Sequence, residues 1–214
     1  GLTAIGTESC YNTTDGLYNT AVGYHALYTN TQGDSNTAVG YQALKTFNTT
    51  DGAGHNVAMG MYAGLAITTG YENVMVGSSA GLSTTDISHS VFVGKKAGGY
   101  VAGISNIAIG HHALINGETD DVANNSANSN VLIGRNVMGG NSDVASSGIG
   151  NCTASKNVGV GMSALKQNLT GGYNVAIGYE SAEENLSGAS NVAVGYNAMN
   201  ATDDGSFNTA IGTS

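Results

Sequence analysis

Short apolar runs alternate with polar, Gly-containing segments along the whole chain, at a nearly fixed interval. The unit is plainest in Asn19-Thr-Ala-Val-Gly23-Tyr-His-Ala-Leu27 and Asn36-Thr-Ala-Val-Gly40-Tyr-Gln-Ala-Leu44. It returns near the other end as Asn174-Val-Ala-Ile-Gly178, Asn191-Val-Ala-Val-Gly195 and Asn208-Thr-Ala-Ile-Gly212. Counting the degenerate Ser146-Ser-Gly-Ile-Gly150 there are 13 blocks, and seven of the 12 spacings between their last glycines are 17 residues. Such a period is too short for a pair of helices or a propeller blade. It fits one coil of a parallel β-solenoid, with two short strands and two turns expected per coil.

Within each block the two strand faces differ. Val or Ile precedes the strand-ending Gly in 12 of 13 blocks, with Met59 the exception, and Val, Ile or Thr usually stands two residues earlier. The position between them is Ala in eight blocks, from Ala4 and Ala21 to Ala193 and Ala210. A half-exposed strand alternates apolar with polar, whereas this one is apolar on both faces and small on one. The β-branched face is expected to fill the coil, leaving the Ala face to meet another apolar surface at close range. Side-by-side packing of several copies supplies that surface, so homo-oligomerisation is expected.

The remainder of each coil reads as turn. Gly within two residues after Thr, Ser or Asp (Gly16, Gly33, Gly70, Gly171, Gly188, Gly205) suits positive φ and local side-chain turns. Asn four residues before the strand Gly occurs in 10 of 13 blocks, which predicts a ladder of side-chain amides up the stack. With ~4.8 Å between stacked strands, 13 coils make a rod of roughly 58 Å.

Composition agrees. The 214 residues include 33 Gly and no Pro, and only 10% are charged. Collagen, disordered linkers and long helices are excluded by that balance, and no apolar run is long enough to span a membrane as a helix. Absence of Pro suits strands that are nearly all central, each needing its N–H. A net charge of −9 disfavours nucleic acid and anionic membranes as partners. Cys10 and Cys152 form no metal spacing and fall too many coils apart for an intrachain disulfide.

Repeated Asn-x-Ala-Ile/Val-Gly-x-x-Ala blocks resemble the left-handed parallel β-roll heads of trimeric autotransporter adhesins. The fuller Asn-Thr-Ala-Val-Gly-Tyr-Gln-Ala-Leu spelling also resembles the repeats of phage tail fibres. The likeness runs over nearly all 214 residues, with a coil of 17 rather than about 14. It implies a homotrimer of left-handed β-rolls forming an extracellular, elongated stalk or head, on a virion tail or bacterial surface. Such a fibre attaches to a host-surface receptor or glycan and has no catalytic residues to carry over, so a non-enzymatic role without cofactor is expected. Both termini fall inside a block, so the single domain 1–214 is expected to be a segment of a longer fibre or to stack end to end.

Candidate chemistry lies where the period breaks, in an irregular zone over residues 115–156. The loop within the 24-residue interval offers Glu118, Asp120 and Asp121 for Ca²⁺ or a glycan, though no calcium-loop motif occurs and a solvated loop is the simpler reading. A carbohydrate-active fibre with a site near 115–130 is the alternative function. Ice binding is weaker, because Thr holds the strand position only at Thr3, Thr20, Thr37 and Thr209. Tyr24, Tyr41, Tyr179 and Tyr196 share the position after Gly and form an aromatic column, expected to pack across coils rather than to stack on sugars. His111 and His112 are adjacent and are expected to point to opposite sides, which leaves no metal site.

Overall fold

In the computed structural model, which describes residues 1–115, 126–138 and 152–213, every regular element is a three-residue strand. The first six are β1 (Thr3–Ile5), β2 (Thr20–Val22), β3 (Thr37–Val39), β4 (Val57–Met59), β5 (Val74–Val76) and β6 (Val91–Val93). They are followed by β7 (Ile107–Ile109), β8 (Val131–Ile133), β9 (Val158–Val160), β10 (Val175–Ile177), β11 (Val192–Val194) and β12 (Thr209–Ile211). All 12 form one parallel sheet in strict chain order, the mark of a β-solenoid of about 17 residues per turn. Register is equally strict: Ala21 faces Ala38 and Ala38 faces Ala58, so the sequence repeat and the structural repeat coincide. At ~4.8 Å per step, the 12 described strands span roughly 53 Å.

β8 pairs directly with β9, Val131 opposite Val158. The degenerate block at Ser146–Gly150, counted as a coil of its own in the sequence, lies outside the described residues. Loop residues Glu118, Asp120 and Asp121 also lie outside them.

The two strand faces are the reverse of the expectation. From β2 to β11 the central residue of the strand is sealed inside the coil, with Ala21, Ala38, Ala58, Ala108 and Ala176 all 0% exposed. The β-branched residues face out, and Ile109, Ile133, Ile177 and Met59 keep 37–45% of their surface. Interior volume is the reason. A 17-residue coil must also enclose the buried Asn, the residues three and four after the strand Gly, and often the residue seven after it. In the third coil these are Ala43, Leu44 and Phe47, all 0% exposed. Such a narrow lumen accepts Ala at the strand centre and leaves Val and Ile to pack along the outside, strand on strand.

At β5 and β6, where the strand centre is large, the facing position shrinks. Leu27 and Leu44 complement Ala21 and Ala38, whereas Gly81 and Gly98 stand opposite Met75 and Phe92. A Cβ at Gly81 meets the Met75 sulfur at 2.9 Å, and one at Gly98 strikes the Phe92 ring. Gly159, at a strand centre, similarly makes room for Val137 and Leu132 of the preceding coil.

The strand-ending glycines carry a different constraint. Gly77 has φ +132, and a Cβ there would come within 2.6 Å of the Gly94 carbonyl oxygen. Beyond each such Gly, the expected second strand is replaced by a curl in which every other residue is left-handed, as at His25 (φ 52) and Leu27 (φ 54). Inter-coil hydrogen bonds persist through the curl: the His25 N–H donates to the Thr7 carbonyl and the Leu27 N–H to the Ala43 carbonyl. That alternation turns Ala26 and Leu27 inward together, which an extended strand cannot do.

The Asn column is the polar spine. Asn19, Asn36, Asn56, Asn73, Asn106, Asn130, Asn157, Asn174 and Asn191 are at most 1% exposed. Each side-chain oxygen accepts the backbone N–H of the next rung, as Asn36 N–H to Asn19 Oδ1 at 2.9 Å and Asn73 N–H to Asn56 Oδ1 at 3.1 Å. Most Nδ2 groups reach a turn carbonyl of the following coil, as Asn73 to Ile87 at 2.8 Å and Asn174 to Gly188 at 2.8 Å, whereas that of Asn36 donates to the Asp34 carbonyl at 3.0 Å. Burial without partners costs about 1–3 kcal/mol per group, so this column is stable only as a complete network. Ser90 is the substituted rung: its N–H donates to Asn73 Oδ1, and its hydroxyl oxygen accepts the Asn106 N–H at 3.2 Å.

Candidate functional site

Two surfaces stand out on this rod, the outer strand face and the edge beside it. The outer face is set by strand periodicity, since residues flanking each buried centre must point away from the coil. Its 24 positions are Val, Ile or Met at 20 and Thr at four, with no charged residue. Thr3, Thr20, Thr37 and Thr209 lie near the two ends of the sheet and the fully apolar strands between them. Parallel in-register pairing arranges these side chains in two straight columns. An uncharged, largely apolar strip of this length is a candidate interaction surface.

The edge begins at the residue after the strand Gly. Tyr24 and Tyr41 stack there with ring centroids 5.2 Å apart and planes 12° apart, and Tyr179 and Tyr196 at 5.4 Å and 6°. The Tyr column therefore packs across coils, ring face on ring face, and exposes its rims. Tyr62, one residue further along its own coil, closes the first group edge-on to Tyr41 at 5.4 Å. The neighbouring phenols and partial desolvation hold Tyr41 above the ordinary tyrosine range, desolvation being the larger cause. Tyr179 is raised as well, chiefly by its hydrogen bond to Glu180.

His111 and His112 do not diverge as expected. Their rings stack with centroids 4.0 Å apart and planes 12° apart. Left-handed backbone at His112 (φ 57) brings successive side chains to one side. The same local geometry stacks His25 on Tyr24 at 3.8 Å. Sequence periodicity could not show this, because it follows from the curl and not from a strand. Two imidazoles in face-to-face contact direct their nitrogens along parallel planes, which does not converge on one ion. Among the described residues no group of three or more His, Cys, Asp or Glu could hold a metal.

His55 and His89 occupy the position before the ladder, where His89 meets Glu72 at 3.2 Å and Tyr71 edge-on at 5.0 Å. His25 bonds Glu8 of the preceding coil at 2.6 Å. These are cross-coil fasteners on the surface. Cys10 and Cys152 are free and buried. Burial pushes the Cys152 thiol up to about 11, which disfavours the thiolate in the folded chain. Among the described residues no helix is long and apolar enough to cross a membrane.

Comparison with protein-family models, with curated proteins and with solved structures returns no match to the chain.

Proposed function

We propose that the chain is a structural and adhesive segment of a fibre, a homotrimer of left-handed β-rolls that holds a surface-attachment structure together. One observation carries the reading: an apolar outer strip that runs over all 12 described strands and bears no charge. On a lone rod this strip faces water along its full length. Packed against its counterparts around a common axis, it becomes a core as regular as the lumen.

Such an interface needs no new design in each coil. Because register repeats strand by strand, a Val or Ile of one copy meets the same residues of its neighbours at every level. The expectation of self-association thus stands on the β-branched face, not on the Ala face. The number three, the left-handed sense and the attachment role come from the resemblance to adhesin heads and tail-fibre repeats. An Asn spine, ring-stacked Tyr columns and free buried thiols all favour a rigid rod over a catalyst.

Chemical cross-linking of the purified chain tests the assembly, and a ladder ending at three copies is expected. Attachment is tested separately, by coating beads with the chain and measuring retention on host-cell or matrix surfaces. A species that stays a single chain at every concentration rules out the trimer. Absence of retention on every surface, with the trimer intact, removes the adhesive role and leaves a spacer.

A further inference from the structure

Charge is banded along the rod. Five of the six Lys and Arg residues (Lys95, Lys96, Arg135, Lys156 and Lys166) lie between positions 87 and 179. Among the described residues no Asp or Glu occurs in that stretch, and its four acids, Glu118, Asp120, Asp121 and Asp143, fall outside them. The rest of the chain carries 11 acidic residues and one Lys.

Two of these groups form a row with a histidine between them. Lys95, His111 and Arg135 each follow the strand Gly of β6, β7 and β8, on the edge column that carries tyrosines elsewhere. All three side chains are exposed. The backbone holds them in register, with the His112 N–H donating to the Lys95 carbonyl and the Asn136 N–H to the His111 carbonyl, both at 3.1 Å. They therefore repeat at one strand spacing, ~4.8 Å, over roughly 10 Å of the rod. Lys156 and Lys166 are occupied, by the Tyr173 hydroxyl at 2.8 Å and by Glu183 at 2.9 Å. Among the described residues no carboxylate pairs with Lys95 or Arg135.

We propose that the row Lys95, His111 and Arg135 binds a linear acidic polysaccharide, seating anionic groups of successive sugars on successive coils. A straight row of donors at a constant step complements a polymer that bears its charge at a constant step. Arg135 supplies a planar fork for a carboxylate or sulfate, and Lys95 a point charge. Nucleic acid fits less well, because a duplex carries one charge per ~1.7 Å of its axis and so crowds its phosphates far more closely than one per coil. This inference rests on the attachment reading and names the class of ligand for it.

The test is binding to immobilised wild-type chain, with circular dichroism confirming the fold of every variant. Polygalacturonate and dextran sulfate separate carboxylate from sulfate recognition. Neutral dextran, a DNA duplex and phosphatidylserine vesicles serve as contrasts. The expected result is saturable binding to one or both acidic polysaccharides, weakened tenfold or more in Lys95→Gln/Arg135→Gln. Lys45→Gln/Lys156→Gln removes the same charge elsewhere and should change affinity less than twofold. No binding of either acidic polysaccharide, equal loss in both double variants, or equal affinity for DNA or vesicles overturns the proposal. Cross-linking of the same samples reports the assembly independently, so a bare row on an intact trimer is distinguishable from a failed trimer.

Discussion

The second and third coils and the fifth and sixth solve the same packing problem with opposite residues. In the former, small Ala21 and Ala38 at the strand centre are matched by Leu27 and Leu44 from the far wall. In the latter, Met75 and Phe92 fill the lumen from the strand and Gly81 and Gly98 yield on the wall. The backbone is unchanged, since Leu44 (φ 48) and Gly98 (φ 62) occupy the same left-handed position. In these four coils the summed volume of the two facing positions is therefore kept, whichever side supplies it. The accommodation also reaches the adjoining coil: a Cβ at Gly64 would meet the Met75 sulfur at 3.0 Å, so the wall of one coil makes room for the strand centre of the next.

The largest effect comes from upsetting that sum. Phe92→Ala should cost about 4 kcal/mol in chemical denaturation, because nothing on the Gly98 side can fill the void. Gly98→Leu alone should be comparably harmful, since the Phe92 ring already occupies the space. Together the two changes recreate the Ala38 and Leu44 arrangement, and the double variant should return to within about 1 kcal/mol of wild type. Additive losses in the double variant would show that the coils are not interchangeable.

Next in size is the polar spine. Asn73→Ala strands the Ser90 N–H and the Ile87 carbonyl, both bonded to Asn73 now. We expect a loss of about 3 kcal/mol, with faster hydrogen exchange confined to the adjoining coils. Since Cys152 is buried, just ahead of β9, and its thiol is held up at about 11, its labelling rate reports opening about four strands along the sheet from Asn73. That rate should change far less than the local exchange. In the other direction, Ser90→Asn completes the ladder and should stabilise by about 1 kcal/mol.

The repeat, its parallel stacking, the register and the Asn ladder were all legible in the sequence, because Asn19, Asn36 and their counterparts recur at a constant offset from the strand Gly. Which face turns inward was not. Period-2 alternation separates Ala from Val and Ile but carries no sign, and the sign depends on how much the rest of the coil already encloses. The signal available was the Leu, Phe or Ile recurring beyond each strand, as in Leu44, Phe47 and Ile67, which competes with the strand for the lumen. The paired His111 and His112 rings were hidden for a related reason. Left-handed backbone at residues such as His112, Gln42 and Lys96 has no residue-type signature here. The basic row was missed because its members, Lys95, His111 and Arg135, are 16 and 24 residues apart and meet only through the stack.

A smaller effect sharpens the contrast between the basic middle and the acidic ends. His111 sits below the ordinary histidine range, through partial desolvation first and then through Arg135, Lys95 and Lys96. Its folded value being the lower one, the unfolded chain binds more protons as pH falls, so His111 contributes stability at high pH that is lost on acidification. Arg135→Gln should move the His111 titration upward in NMR, by less than a full return because desolvation remains. An unchanged titration would mean that the row is not electrostatically coupled.

Assembly through the outer strip is the central claim, and the mass of the particle in solution tests it most directly. Light scattering on the wild-type chain should give three times 21.4 kDa, and on Val76→Asp/Val93→Asp, which buries charge in the middle of the strip, a single 21.4 kDa chain. A wild-type chain that remains at 21.4 kDa at all concentrations, with its fold intact, would contradict it.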